Sequence, residues 1–303
     1  MKKSTKSTVW VGCVSIGIGL LFSIAAVTLG AVTAVPELMR TGDIKGISFF
    51  NTPWGRMEDL ADEGWESFKG QLFQESGKKT AVAKADDIGK LDIDCGAAEL
   101  LIKESEDDSV YLATNSYVKV KYRVEDDDLY IKCKGKTGTD IHGKVELYLP
   151  KEVTAERIKI DLGAGTVKNE TALHAEELFL EIGAGDASLS DVTVQTTEAH
   201  VGAGKLRFDK FVTEELKTDV AMGEFSFDGR IDQEAAVDVA MGNAEIQLSD
   251  SSDEYSCEVS VGAGEVTVGG QKMAGAYDGE FGDGDKELNL DCSMGRIKVT
   301  FAK

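Results

Sequence analysis

The tripeptide Gly163-Ala164-Gly165 returns as Gly183-Ala184-Gly185, Gly202-Ala203-Gly204 and Gly262-Ala263-Gly264, with Ala221-Met222-Gly223, Ala240-Met241-Gly242 and Ser293-Met294-Gly295 as variants. From Gly165 to Gly242 the third positions lie 20, 19, 19 and 19 residues apart, and a fixed period of this length marks a stacked-repeat architecture. Apolar residues hold constant offsets from that position. Three before it stand Leu162, Ile182, Val201, Val220, Val239, Val261 and Cys292; two after it stand Val167, Ala187, Leu206, Phe225, Ala244, Val266 and Ile297. Further apolar positions follow at alternate residues, as in Leu189, Phe208, Phe227, Ile246, Val268 and Val299. Each repeat therefore reads as a strand with alternate residues inward, a small-residue corner, and a second strand of the same kind.

Two short strands per 19 residues fit the coil of a β-solenoid, in which coils stack about 4.8 Å apart and share backbone hydrogen bonds. A sandwich of consecutive hairpins also alternates, but it does not require the same residue type at equivalent positions of every copy. The expected fold class is all-β: a solenoid of two-strand rungs, preceded by one transmembrane helix and a short amphipathic helix. Glycine at the corner is expected to supply positive φ and close backbone approach. Cys95-Gly96-Ala97-Ala98, flanked by Leu91, Ile93, Leu100 and Ile102, reads as a degenerate first copy.

From Val9 to Val35 no residue is charged, enough to cross a hydrocarbon core of ~30 Å, which takes about 20 helical residues. A cleaved signal peptide is the rival reading, with Val32-Thr33-Ala34 as a small-residue site; its apolar stretch would normally be only about 7–15 residues, which favours an uncleaved anchor. Cys13 lies inside the apolar run rather than after it, unlike a lipoprotein cysteine. Lys2, Lys3 and Lys6 precede the span, so the positive-inside rule keeps the amino terminus cytoplasmic. The expected organisation is a cytoplasmic tail over 1–8, a transmembrane helix over 9–35, and a juxtamembrane linker over 36–80. A β-repeat domain over 81–303 follows, irregular over 81–150 and regular over 151–303. The protein is then a single-pass cell-membrane protein with its β domain extracytoplasmic.

Within the linker, Met57, Leu60, Ala61, Trp65, Phe68 and Leu72 fall at helical spacing opposite Glu58, Asp59, Asp62, Glu63 and Glu66, which predicts an amphipathic helix over 56–73. Terminal rungs of a solenoid need a cover, and this helix is the candidate cap. The three lysines contribute +3 to a net charge of −21, so the chain beyond residue 35 carries −24; this argues against nucleic acid as a partner.

Between Lys90 and Pro150 the period is lost, although Val118, Val120, Tyr122 and Val124 alternate, Asp126-Asp127-Asp128 turns the chain, and Leu129, Ile131 and Cys133 alternate back. The run Lys144-Val145-Glu146-Leu147-Tyr148-Leu149-Pro150-Lys151, followed by repeated strand-Gly-x-Gly-strand units, resembles a bacterial β-strand-repeat family of unknown function whose members are labelled candidate adhesins. The likeness covers 81–303. The family's corners commonly carry Ser-Gly-(Asp/Asn) rather than the triplets found here. The resemblance implies a membrane-tethered extracytoplasmic β-solenoid of the cell envelope.

Catalytic signatures are sparse. His142, His174 and His200 lack metal-ligand spacing, and no Gly-x-Ser-x-Gly elbow, P-loop or dinucleotide fingerprint occurs. Cys95 and Cys292 are expected in the first and last rungs, roughly 34 Å apart at 4.8 Å per rung, far outside the ~7 Å that a disulfide allows. Cys133 and Cys257 are expected as buried thiols. The segment from Gly279 to Glu287 is acidic, but an EF-hand register from Asp283 puts Leu288 at the sixth position, where glycine is required. It therefore reads as an acidic loop.

The remaining pattern is a column of carboxylates. Four residues before each corner's third position lie Asp94, Asp161, Glu181, His200, Asp219, Asp238, Ser260 and Asp291, all expected to point outward. Like charges directly opposite on neighbouring strands are destabilising, so the column needs water, a cation or a cationic partner. One reading is a solvated face that favours solubility; the other is a binding strip (Asp94, Asp161, Glu181, Asp219, Asp238, Asp291) for Ca²⁺, a cationic peptide or another envelope protein. No other cofactor is expected. The functional expectation is a non-enzymatic extracytoplasmic scaffold for binding or envelope sensing. The alternatives are a polysaccharide-acting enzyme of β-helical type and a cation-binding structural surface protein.

Overall fold

The computed structural model of the chain describes residues 65–85, 88–135, 143–151 and 153–302. These residues form an all-β fold, a hydrogen-bonded network of 21 strands. The 19-residue period is the rung spacing: Ile182, Val201, Val220 and Val239 are register partners on successive parallel strands. Every inward position named above is buried, from Leu162 and Ile182 to Cys292 and Ile297. In the rung that begins the regular series the inward column also admits a polar residue, Asn169. Its amide donates to the carbonyls of Thr171 and Ser190 and its oxygen accepts from Ser190 N–H, so no polar atom is stranded.

The corner glycines serve one of the two purposes expected. None has positive φ; that conformation belongs instead to Asp191 and Lys210, at a bend 19 residues apart. What the corners require is closeness. A Cβ on Gly242 would lie 2.4 Å from the carbonyl oxygen of Gly223, one rung below. Backbone stacks on backbone there, leaving no room for a side chain.

Chain order and spatial order part company at both ends. Asp128–Gly135 pairs in parallel with Lys90–Cys95, and Lys144–Leu149 with Glu99–Glu104. The segment expected to be irregular therefore contributes a full rung, outside the one built from Lys90–Cys95. Its first strand ends at Gly135 and its second begins at Lys144, an interval that departs from the period. At the other end the last strands of the chain, Lys286–Cys292 and Arg296–Phe301, insert between 234–239 with Asn243–Leu248 and the rung of Tyr255–Val261 with Glu265–Val268. Cys292 is thus one rung in from where the sequence placed it. It also lies six strand steps from Cys95, about 29 Å at 4.8 Å per step.

Antiparallel strands close both ends. Val118–Glu125 covers Asp128–Gly135 and Ser109–Thr114 covers Lys144–Leu149; Tyr277–Phe281 and Gln271–Ala274 cover the far rung. Asp126 and Asp127, with φ of 51° and 64°, make the tight turn of the first hairpin. Gly264 and Gly295 lie 31 residues apart because the capping strands Gln271–Ala274 and Tyr277–Phe281 intervene, and the acidic loop expected from Gly279 to Glu287 shrinks to 282–285, its two ends lying in the strands Tyr277–Phe281 and Lys286–Cys292.

The amphipathic helix expected over 56–73 does not reach its predicted end. Trp65–Ser67 form a turn and Gln71–Phe73 is a strand antiparallel to Val118–Glu125. The unpaired edge of Val118–Glu125 offers backbone donors and acceptors that capture this segment as a strand. Phe68 is buried beneath the Arg123 guanidinium, and the Lys121 ammonium donates to the carbonyls of Trp65 and Phe68. The rest of the helix, the tail at 1–8 and the span at 9–35 lie outside the described residues. Among the described residues no helix is long and apolar enough to cross a membrane.

Candidate functional site

Strand alternation turns every second residue of the stacked strands outward, and parallel register sets those residues in columns. The column four residues before the corners runs, in spatial order, Lys132, Asp94, Asp161, Glu181, His200, Asp219, Asp238, Asp291, Ser260. All six residues of the predicted strip are brought together, each next to another member or to His200. The inserted final strand is what sets Asp291 beside Asp238. Two residues earlier runs a second outward column, Tyr130, Asp92, Lys159, Phe179, Glu198, Lys217, Ala236, Asn289.

Cations hold parts of this face. Lys132 ion-pairs with Asp94 at one end. His200 divides the acids into two groups: its Nε2 lies 3.1 Å from Glu198, and its Nδ1 lies 2.9 Å from Asp219, within ion-pair reach but off the line of a good hydrogen bond. Burial alone would lower the imidazole pKa, but Asp219 and Glu198 outweigh it and hold the ring up at about 9. Glu198 is pulled below its usual range, first by the His200 hydrogen bond and also by Lys217. Lys159, buried against the Phe179 ring, supplies positive charge to Asp92 and Asp161.

The remaining carboxyls are not neutralised. Asp161 is pushed up to about 7 by burial and then by Asp94 and Glu181, against the opposing pull of Lys159 and Lys132. Asp238 is pushed up to about 7 by desolvation, by Asp219 and Asp291, and by a hydrogen bond shared with Asp219. Asp238 is exposed on the face, so its neighbouring carboxylates raise it more than desolvation does. Burial also raises Asp291, with a Ser260 hydrogen bond pulling the other way. Near neutral pH the column therefore holds titratable acid on either side of His200.

Other residues flagged in the sequence lie elsewhere. His174 and His200 are on different parts of their strands, and His142 lies outside the described residues. Among the described residues no three His, Cys, Asp or Glu side chains gather in a metal-binding group. A ladder is a line, not a cage. In the acidic loop region, Lys286 reaches Asp250 at 2.6 Å and Glu254 at 3.0 Å, so a lysine supplies positive charge there. Cys133 and Cys257 are buried free thiols, as are Cys95 and Cys292. Sequence reasoning missed that Cys133 stands in register opposite Cys95, and it missed the Lys132, Lys159, Glu198 and Lys217 charges around the column. The two-residue alternation pointed to that second column. The neighbour of Asp94 could not be read, because a hairpin reverses before it.

The sequence profile of the family described as Toastrack DUF4097 matches residues 88–300. Solved structures similar to this chain include a candidate adhesin from Parabacteroides distasonis ATCC 8503, 16% identical, covering 76% of this chain and 98% of that one, with a TM-score of 0.45. A candidate adhesin from Bacteroides fragilis NCTC 9343 is 13% identical over 76% and 97% of the two chains, with a TM-score of 0.43. A candidate lipid-binding protein from Parabacteroides distasonis ATCC 8503 is 16% identical over 75% and 96%, with a TM-score of 0.43. No curated protein matches the sequence.

Proposed function

The chain belongs to the Toastrack DUF4097 family, and from that premise we infer that it is a membrane-anchored, extracytoplasmic scaffold that binds cationic ligands along its carboxylate column without catalysing a reaction. The observation that carries this reading is the register that sets Asp161 between Asp94 and Glu181, and Asp238 between Asp219 and Asp291, where burial and acidic neighbours raise Asp161 and chiefly the acidic neighbours raise Asp238. Ionising such a group carries a free-energy loss relative to an unperturbed aspartate. A bound cation offsets that loss, which makes the column a receptor for positive charge.

The ligand class is a lysine- or arginine-rich segment of another envelope protein, with Ca²⁺ as a smaller competitor that can bridge adjacent carboxylates. The uncharged run from Val9 to Val35 behind Lys2, Lys3 and Lys6 supports an anchor with a cytoplasmic amino terminus.

The test is calorimetric titration of the full chain in lipid nanodiscs with a lysine-rich peptide. Binding that strengthens from pH 6 to pH 8, and that is lost in Asp161→Asn plus Asp238→Asn, supports the reading. Equal binding by wild type and variant would remove the column as the site. The topology is tested separately by adding protease to intact cells: the β domain is expected to be digested, and its full protection would reverse the orientation.

A further inference from the structure

We propose that Met222, Met241 and Met294 form a three-thioether site for a soft monovalent cation, Cu(I) or Ag(I), on the corner of three consecutive rungs. Each methionine is the middle residue of its corner. The corners are pinned in a stack by backbone hydrogen bonds from Met222 N–H to Gly202 O, Met241 N–H to Ala221 O and Met294 N–H to Ala240 O, each 2.8 Å. Neighbouring backbones are therefore about 4.8 Å apart.

The triad is a product of the strand insertion. Met294 comes from the last corner of the chain and reaches Met241 because Lys286–Cys292 pairs with 234–239. Had the rungs followed sequence order, Ala263 would stand there instead. Other corners hold alanine at this position, namely Ala164, Ala184, Ala203 and Ala263.

These side chains do not fill the core. Met222, Met241 and Met294 are 62%, 44% and 46% exposed, whereas Met273 is buried. Their placement is rigid at the backbone and free at the tip. The glycine after each methionine packs against the backbone below, with a Cβ on Gly295 meeting Gly242 O at 2.2 Å, while the side chain itself has three rotatable bonds and a polarizable sulfur. The two outer thioethers can lean toward Met241, giving three sulfur donors around one ion. Neutral thioether donors select Cu(I) over hard divalent cations.

The charge of the ion is met nearby. Asp219, Asp238 and Asp291 stand three residues before Met222, Met241 and Met294, so the column's negative potential draws a cation to this corner. The ions sort by hardness: Ca²⁺ suits the carboxylates and Ag(I) or Cu(I) the sulfurs. This site does not depend on the peptide-binding reading of the column.

The experiment is titration of the full chain in nanodiscs, labelled with methyl-¹³C methionine, using Ag(I) as the redox-inert probe. The methyl signals of Met222, Met241 and Met294 are expected to shift together and saturate at one Ag(I) per chain, while Met273 stays put. Replacing all three by leucine, a near-isosteric change at exposed positions, should remove that equivalent. The same variant keeps every cysteine and so separates thioether from thiol binding. Unshifted methyl signals, or an equivalent that survives in the triple-leucine protein, would overturn the proposal.

Discussion

Asp219 and Asp238 stand in register on adjacent parallel strands, so their carboxyls sit side by side on one face of the sheet. The 19-residue repeat produces this pairing, because residues one period apart in the chain become direct neighbours in space. Charge-neutral Asp238→Asn should relieve the repulsion. Water screens an exposed carboxyl, so we expect a gain of about 1 kcal/mol rather than the full cost of a three-unit shift. For a domain of this size that is a rise in melting temperature of about 2–4 °C. Asp238 has its folded pKa raised, so it destabilises the fold above its unfolded value near 3.8, fully so above about 7. The gain from the substitution should therefore be largest at pH 8 and fade toward pH 4. A melting temperature that is unchanged at pH 8 would show that the neighbours do not repel.

His200 has the opposite sign. Its folded pKa is raised from 6.5 to about 9, so its stabilising contribution is complete below 6.5 and is lost as pH rises through about 9. His200→Gln should cost about 1–3 kcal/mol at neutral pH, since Glu198 loses a charged hydrogen-bonding partner and Asp219 an ion-pair partner. The penalty should shrink above pH 9. An imidazole titrating near 6.5 by NMR would contradict this account of the His200 environment.

Gly242→Ala tests why the corners need glycine. The added methyl would meet the Gly223 carbonyl oxygen at 2.4 Å and Val220 Cγ1 at 2.7 Å. The expected destabilisation is about 1–3 kcal/mol, the usual range for overpacking, read as a lower midpoint in denaturant. An unchanged midpoint would mean that the stack can spread without loss.

Cys95 and Cys133 are register partners on parallel strands, with Cα atoms about 4.8 Å apart, inside the 4.4–6.8 Å range that a disulfide spans. The hydrogen bond that the Cys95 thiol donates to Cys133, and then burial, push Cys95 well above its ordinary pKa, so its thiolate is scarce and oxidation should be slow in the folded protein. Prolonged oxidation followed by peptide mapping should give a Cys95–Cys133 link. A link from either of these residues to Cys257 or Cys292 would contradict the rung order.

Much of the fold was legible because stacking constrains sequence directly: Val201, Val220 and Val239 are alike because each lies on the next. The same constraint made the carboxylate column visible. Rung order at the ends was hidden. Nothing local to Asp291 or Met294 says that their strand leaves chain order to lie on 234–239. The outermost rung was missed because the interval between its strands, from Gly135 to Lys144, departs from the period. The sequence showed where acids lie but not what neutralises them, since the Asp94 partner, Lys132, belongs to a strand that a hairpin has turned round.

The central claim is that the column holds carboxyls that are strained by their own charge and relieved by a cation. The most direct measurement is an NMR pH titration of ¹³C-labelled aspartate carboxyls in the full chain, with and without a lysine-rich peptide. We predict a midpoint near 7 for Asp161 and one raised above the ordinary aspartate range for Asp238 in the free protein, and lower midpoints when the peptide is bound, because the cation favours the ionised form. Midpoints in the ordinary aspartate range, or midpoints that ignore the peptide, would contradict it.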